Sequence, residues 1–259
     1  DWYIHTNAPI RNEVWIVIVI AFSGLVQGTL GLGFPMVATP LIALVTDMKS
    51  AVILVLLPCV ATVIANIVKG GPLRPVLADF WMMPFYALAG AVLGTRFFIA
   101  FPAFPFTVLL ATVILVYLNL DRLGRTDWPL IRRHRALFGM LFGVVAGFTE
   151  GTANAAAPPL IVYYLALGLS PVSLVQALNI CFITGKATQF VTLASGGGVS
   201  LVQWLITLPF AAVATGSVLY GIRIRSRVSV ATYRHWLRLT LFAVALLLLA
   251  QYAYSKWGV

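Results

Sequence analysis

The chain has 259 residues, of which 61% are hydrophobic and 9% charged, with a formal net charge of +10. Soluble domains carry about 25% charged residues, so this composition excludes a soluble globular domain and points to a polytopic membrane protein. The Lys and Arg residues stand in short connections between apolar runs, the topological bias of membrane proteins, which argues against a nucleic-acid partner.

A polar stretch without net basic charge, Asp1 to Glu13, precedes the first apolar run, so no cleavable leader is expected. Apolar runs follow at 14–31, 34–46, 50–68, 80–100, 104–120, 136–149, 155–168, 173–194, 201–222 and 236–255. A helix needs about 20 residues to cross a hydrocarbon core of ~30 Å. The second, sixth and seventh runs are expected to be too short to cross, with backbone breaks that are buried in protein or line a cavity. The predicted organisation is an extracytoplasmic segment 1–13, a first membrane repeat 14–120, a basic cytoplasmic linker 121–135, a second membrane repeat 136–255 and a tail 256–259.

Loop charge sets the expected sidedness. The connection after the fifth run carries Arg122, Arg125, Arg132, Arg133 and Arg135, and the one after the ninth carries Arg223, Arg225, Arg227, Arg234 and Arg238. Both are placed in the cytoplasm. The pair of broken runs between them must then contribute an even number of crossings. Lys69 and Arg74 fall inside, the uncharged turn Phe101 to Pro105 falls outside, and both termini fall outside, with Lys256 a mild exception. Five segments per half is an odd number, so the halves are expected to insert in opposite directions. The expected fold is all-α: an inverted repeat of two five-segment halves, each opening with a broken or re-entrant helical hairpin.

The hairpins themselves repeat. The first reads GLVQGTLGLGFPMVATPLIAL from Gly24 to Leu44, and the second reads GVVAGFTEGTANAAAPPLIVY from Gly143 to Tyr163. Set one over the other, Gly24 and Gly28 meet Gly143 and Gly147, and Pro40-Leu41-Ile42 meets Pro159-Leu160-Ile161. Further on, Ser50-Ala-Val-Ile-Leu-Val aligns with Ser173-Leu-Val-Gln-Ala-Leu, and Gly90-Ala-Val-Leu-Gly lies near Gly216-Ser-Val-Leu. A Gly-rich broken segment leading into Pro-Leu-Ile, repeated halfway, resembles the TauE/SafE sulfite exporter family of membrane permeases, over residues 14–255. The resemblance implies secondary transport of small sulfur-containing or carboxylate anions: sulfite, thiosulfate, or organosulfonates such as sulfoacetate and taurine breakdown products. It also implies a place in the bacterial inner (cytoplasmic) membrane. Two departures stand out: Gly31-Leu32-Gly33-Phe34-Pro35 where members often have three successive glycines, and Glu150 and Asn154 where glycines are expected.

Broken helices expose backbone N–H groups whose ends carry roughly half a positive charge, so an anion is held without a permanent charge buried in lipid. The helix restarting near Phe34 to Val37 is expected to aim its amides at the first break, where Gly31 and Gly33 allow close approach. Ala155 to Ala157 is expected to do so at the second, beside Gly151. Gln27, Thr29, Thr152 and Asn154 are candidates to complete an anion cage near the bilayer midplane. The competing reading is that these small residues only allow close helix packing.

Two polar stripes add to the set. Cys59, Thr62, Asn66 and Lys69 share one face of the third segment, and Gln176, Asn179, Lys186 and Gln189 share an arc of the eighth. Asn66 aligns with Gln189. Asn66, Asn179 and Gln189 are candidate substrate ligands, against the alternative that they hold helices together. Glu150 and Lys186 are the two full charges well inside the segments, and intramembrane charge is costly enough to be a functional hypothesis by default. Lys186 is expected to neutralise the substrate or pair with Glu150, with snorkelling to the surface as the alternative. Glu150 is expected to bind a coupling proton, or to cap the restarting helix from an aqueous vestibule. Arg96 reads as an anchor at the outer edge.

His5, His134 and His235 lie in loops or at segment ends, and no HExxH or Walker motif is present. Ser195 precedes a glycine run without a base nearby, and Cys59 and Cys181 read as small core residues. Neither an enzyme nor a cofactor or metal is expected. The reading is a proton-coupled secondary transporter working by alternating access around a midplane site between the two broken hairpins. An anion channel of the same fold and a carboxylate permease are the alternatives. The expected partners are a small anion, the proton and the lipid bilayer.

Overall fold

The computed structural model describes residues 10–119, 128–196, 199, 201–225, 238–239, 242–243, 245–250 and 252–254. His5, Arg122, Arg125, Arg227, Arg234, His235 and Lys256 lie outside the described residues. Among the described residues the structure is helical throughout, with no strand. The first half comprises α1 (Ile10–Leu30), α2 (Phe34–Ala43), α3 (Met48–Lys69), α4 (Arg74–Phe80), α5 (Met83–Ala100) and α6 (Phe106–Leu118). The second comprises α7 (Pro129–Arg133), α8 (Arg135–Ala153), α9 (Ala157–Ala166), α10 (Pro171–Gly196), α11 (Leu201–Ile206) and α12 (Leu208–Ile224), followed by an apolar helix over Ala245–Tyr254. Five stretches are long and apolar enough to cross a membrane: Glu13–Leu30, Met48–Lys69, Met83–Ala100, Arg135–Ala153 and Val202–Ile224. The protein is therefore a multi-pass membrane protein, and large apolar side chains such as Ile18, Phe85, Leu93, Leu137 and Leu141 face outward, where lipid would cover them.

The sixth apolar run is longer than its hydropathy indicates. It ends at Thr149 in composition, but α8 continues through Glu150, Gly151 and Thr152 to Ala153, giving 19 residues, enough to cross. The polar residues do not end the helix because Thr149 and Thr152 return their hydroxyls to carbonyls one turn back, Val145 and Phe148. The fourth run forms α5, which begins at Met83 with Pro84 in its first turn, after Trp81 and Met82 separate it from α4.

Each half opens with a hairpin. Trp15 Nε1 at the start of α1 donates to the Leu41 carbonyl near the end of α2 at 3.0 Å, and the Tyr163 hydroxyl in α9 donates to the Arg135 carbonyl at the start of α8 at 2.9 Å. The short arms, α2 and α9, have ten residues each, about 15 Å or half the hydrocarbon thickness. The first break passes through Gly31 (φ 83°) and Gly33 (φ 109°), left-handed conformations that glycine adopts without a Cβ clash. The second turns on Asn154 (φ 56°), a residue type that tolerates this region. Pro35 and Pro158 then stand in the first turn of the restarted helix, where a missing N–H costs nothing.

Packing crosses between the halves reciprocally. α8 lies along α5 and α1 lies along α12, each pair in parallel, as the contact positions rise together in both chains. Glycines bring these backbones close: a Cβ on Gly147 would stand 2.0 Å from the Ala87 carbonyl oxygen, and one on Gly28 would stand 2.3 Å from that of Val218. α3 and α10 run antiparallel through the interior, with Ile67 beside Gln176 at one end and Leu56 clustered with Leu193 at the other. Arginines from the basic connections are tied to helix C-termini: Arg132 to the Ala166 carbonyl, Arg238 to Leu118, and Arg225 to Gly28 and Thr29. Burial lowers the pKa of the Arg225 guanidinium from its ordinary value.

Asp47 caps α3, its carboxylate accepting from the Ser50 amide at 2.9 Å and from the Ser50 hydroxyl at 2.5 Å. Asp47→Ala is expected to lower stability by about 1 kcal/mol, measured as a reduced midpoint of thermal unfolding in detergent.

Candidate functional site

The two long polar helices of the interior converge on the hairpin breaks. Gln176, Asn179, Lys186 and Gln189 of α10 are all fully buried, as are Cys59, Thr62 and Asn66 of α3, while Lys69 is exposed at the end of its helix. The polar stripes therefore face the interior and not lipid.

At the second break the arrangement is charged. Lys186 Nζ is surrounded by three oxygens: Asn154 Oδ1 at 2.5 Å, Glu150 Oε1 at 2.8 Å and Gln189 Oε1 at 2.9 Å. The ammonium donates hydrogen bonds to Asn154 and Gln189, and Glu150 Oε1 stands beside it at ion-pair distance. Glu150 Oε2 accepts from the amide of Ala156, just before α9, at 3.0 Å. Gln189 Nε2 donates to Asn154 Oδ1 at 3.1 Å and to the carbonyls of Glu150 and Gly151 at 3.3 Å. Asn154 Nδ2 in turn donates to Thr39 Oγ1 of α2 at 3.1 Å, which joins the two hairpins. Glu150 and Lys186 are 1% and 0% exposed, so there is no vestibule around the carboxylate and no snorkelling by the lysine. They are the only buried charged side chains among the described residues.

The first break has the same plan without a buried ion pair. Gln27 Oε1 accepts from the Phe34 amide at 2.9 Å, and Gln27 Nε2 donates to Asn179 Oδ1 at 3.3 Å. Asn66 Nδ2 donates to the Gln27 carbonyl at 3.2 Å, and Asn179 Nδ2 to those of Gly31 and Val175 at 2.9 and 2.7 Å. Gln27 and Glu150 each stand seven residues before the first residue of the restarted helix, and each caps the chain re-entering it. Asn66 and Gln189 perform the same task on the carbonyls of those two residues. This structural register differs by one helical turn from the alignment of Gly24 with Gly143. Residues four apart share a helix face, so a one-turn slip still places small residue over small residue, and pattern alone does not distinguish the two.

Of the sequence candidates, Glu150, Asn154, Lys186 and Gln189 meet at the second break, and Gln27, Gly31, Asn66 and Asn179 meet at the first. Gly33 supplies the turn into α2 and is the position from which Val37 takes its helical bond. Gly151 contributes its carbonyl, but its missing Cβ serves packing against Thr95 and Ala91 of α5. Thr29 and Thr152 are not brought into either cluster: both hydroxyls return to carbonyls of their own helices, Leu25 and Val26 for Thr29 and Phe148 for Thr152. The two breaks do not meet end to end. Asn179 and Gln189, which serve one each, are ten residues apart on α10, about 15 Å along its axis. Thr39 was not among the candidates; its signal was a lone hydroxyl in the otherwise apolar middle of α2. Cys59 and Cys181 are free and buried, Ser195 bonds back to Val191, and Arg96 is exposed. Among the described residues no group of three or more His, Cys, Asp and Glu is placed to hold a metal.

Chemically, the second cluster is a buried ion pair of Lys186 and Glu150 set among the side-chain amides of Asn154 and Gln189. The profile of one protein family, described as Sulfite exporter TauE/SafE, matches residues 16–248. No curated protein and no solved structure is significantly similar to the chain.

Proposed function

Since the chain belongs to the sulfite exporter TauE/SafE family, a family of membrane transporters, we propose that it is a secondary transporter carrying a small sulfur-containing anion, sulfite or an organosulfonate, across the bacterial cytoplasmic membrane. The observation that carries this reading is the Lys186 ammonium, the one buried cationic side chain among the described residues, which shares the Glu150 carboxylate with the amide of Ala156 where α9 restarts. A fixed cation next to a half-helix N-terminus suits a sulfonate or sulfite head, with Asn154, Gln189 and Thr39 to orient it. Glu150 is the coupling group for a proton.

Alternating access is supported by the absence of exposure at the cluster, since a carrier must close its site on both sides. An inverted repeat is supported by the matching duties of Gln27 and Glu150 and of Asn66 and Gln189, by the antiparallel run of α3 and α10, and by the reciprocal packing of α1 on α12 and α8 on α5. The arginine-rich connections support a reading in which the α8–α9 hairpin enters from the cytoplasm and the α1–α2 hairpin from outside. The site then belongs to the second break and α2, not to a point where both tips meet.

The test is a thermal-shift screen of the purified protein against sulfite, thiosulfate, sulfoacetate, taurine and short carboxylates, in which a ligand stabilises by RT ln(1 + [L]/Kd). At least one sulfur anion is expected to raise the unfolding midpoint. Asn154→Ala and Asn154→Gly are both expected to weaken that anion at least about tenfold, the loss of one charge-assisted partner network. Asn154→Gly keeps the left-handed turn, so it separates ligand loss from backbone strain. Unchanged affinity in both variants rules out the second break as the site. In proteoliposomes a carrier gives saturable uptake with counterflow, whereas unsaturating currents would identify a channel.

A further inference from the structure

Glu150 stands where an oxyanion would stand. Its two carboxylate oxygens span the Lys186 ammonium at 2.8 Å and the Ala156 amide at 3.0 Å. Those are the donors that a sulfonate or carboxylate substrate needs at this site. Lys186 already faces as many oxygens as it has protons, so a substrate reaches it only by displacing one of them. Displacing Asn154 or Gln189 while Glu150 stays ionised would enclose an unbalanced negative charge, which is strongly unfavourable in a dry interior. Displacing Glu150 as a neutral carboxylic acid leaves the enclosed charge unchanged. Capping the restarted helix does not by itself require a carboxylate, because Gln27 caps the first break with an amide oxygen.

We infer that Glu150 is a tethered counter-anion: the transported anion replaces it on Lys186, and one proton goes to Glu150 as it leaves. This rests on reading the cluster as the substrate site. Before binding, the site holds an ammonium and a carboxylate; afterwards it holds the ammonium, the substrate monoanion and a carboxylic acid. The single bond made is the O–H of Glu150, its proton drawn from the water on the side from which the anion enters. The transported class is accordingly a monoanion, an organosulfonate or hydrogensulfite, because a dianion would leave the closed site with a net negative charge.

The groups facing Glu150 are few. α10 presents Lys186 and Gln189, the break presents Asn154, and the start of α9 presents the Ala156 amide. α3 presents the buried Cys59 thiol, α5 presents Thr95 beside Gly151, and α2 presents Thr39 to Asn154.

Methanesulfonate is a suitable probe because its own charge does not titrate near neutral pH. When it is added to the purified protein in weakly buffered detergent, uptake of about one proton per bound anion is expected, and the apparent Kd should rise about tenfold per pH unit on the alkaline side. Sulfate should bind far more weakly. E150Q, which has no carboxylate to displace, should bind methanesulfonate at least as tightly, with no proton uptake and a flat pH profile. Binding to the wild-type protein without proton uptake overturns the inference, as does a folded E150Q that has lost methanesulfonate. If E150Q does not fold, the wild-type proton count decides alone. Failure of every anion in the screen to bind the wild-type protein is a different result: it removes the anion site itself, not merely the exchange.

Discussion

Replacing Lys186 with methionine should be the most damaging single substitution in the interior. It leaves the Glu150 carboxylate buried without a counter-charge, which costs about 3–5 kcal/mol where one partner of a buried pair is removed. Methionine fills much of the same volume, so packing alone would not account for so large a loss. Transport should fall to background, since among the described residues no other cation reaches the second break. The decisive comparison is the double variant Lys186→Met with Glu150→Gln. Removing both charges together commonly leaves stability nearly unchanged, so most of the lost stability should return while transport does not. Thermal unfolding in detergent reads the first quantity and uptake into proteoliposomes the second. A double variant as unstable as Lys186→Met alone would mean that the lysine acts through its packing and not through the ion pair.

Gly147→Val should be nearly as severe, for a steric reason. A Cβ there falls 2.0 Å from the Ala87 carbonyl oxygen and 2.7 Å from the Ala91 amide nitrogen, both backbone atoms of α5 that no rotamer change can move aside. The helices must separate, with a cost at or above the about 1–3 kcal/mol typical of overpacking. Because α8 carries Glu150, the shift should also disturb the second break. Gly216→Ala in α12 is the matched control: nothing lies within 4 Å of its added Cβ, so the change should be neutral or should stabilise by up to about 1 kcal/mol through helix propensity. Equal unfolding midpoints for Gly147→Val and the wild-type protein would show that α5 and α8 do not pack closely.

Much of the site was legible because charge inside a membrane is rare. Glu150 and Lys186 stood out by cost alone, and Asn66, Asn179 and Gln189 by their placement on stripes that lipid would not tolerate. What those residues do to one another was not legible. Periodicity gives the face of a helix but not the height at which a neighbour meets it, so the three oxygens around Lys186 and the bond from Asn154 to Thr39 were beyond its reach. Thr29 and Thr152 show the opposite error. A hydroxyl beside a break has two partners available, a ligand or its own carbonyl one turn back, and in a helix the second is always within reach.

The sequence by itself determined the membrane class, the two broken hairpins and the family, because each depends on composition, on Gly and Pro at defined positions, or on a repeated pattern. It did not determine the length of α8, the register between the halves, or which break holds the charge pair. Hydropathy stops at Thr149, whereas the helix continues through Glu150, whose carboxylate and carbonyl find partners only once α9 and α10 are in place. A repeat of small residues fits itself equally well one turn out of step, and the matching bonds of Gln27 and Glu150 follow the register of Ser50 with Ser173 and of Asn66 with Gln189, not that of Gly24 with Gly143. Long-range contacts decided these points, since the partners of a buried polar group come from distant stretches of chain that local pattern does not connect.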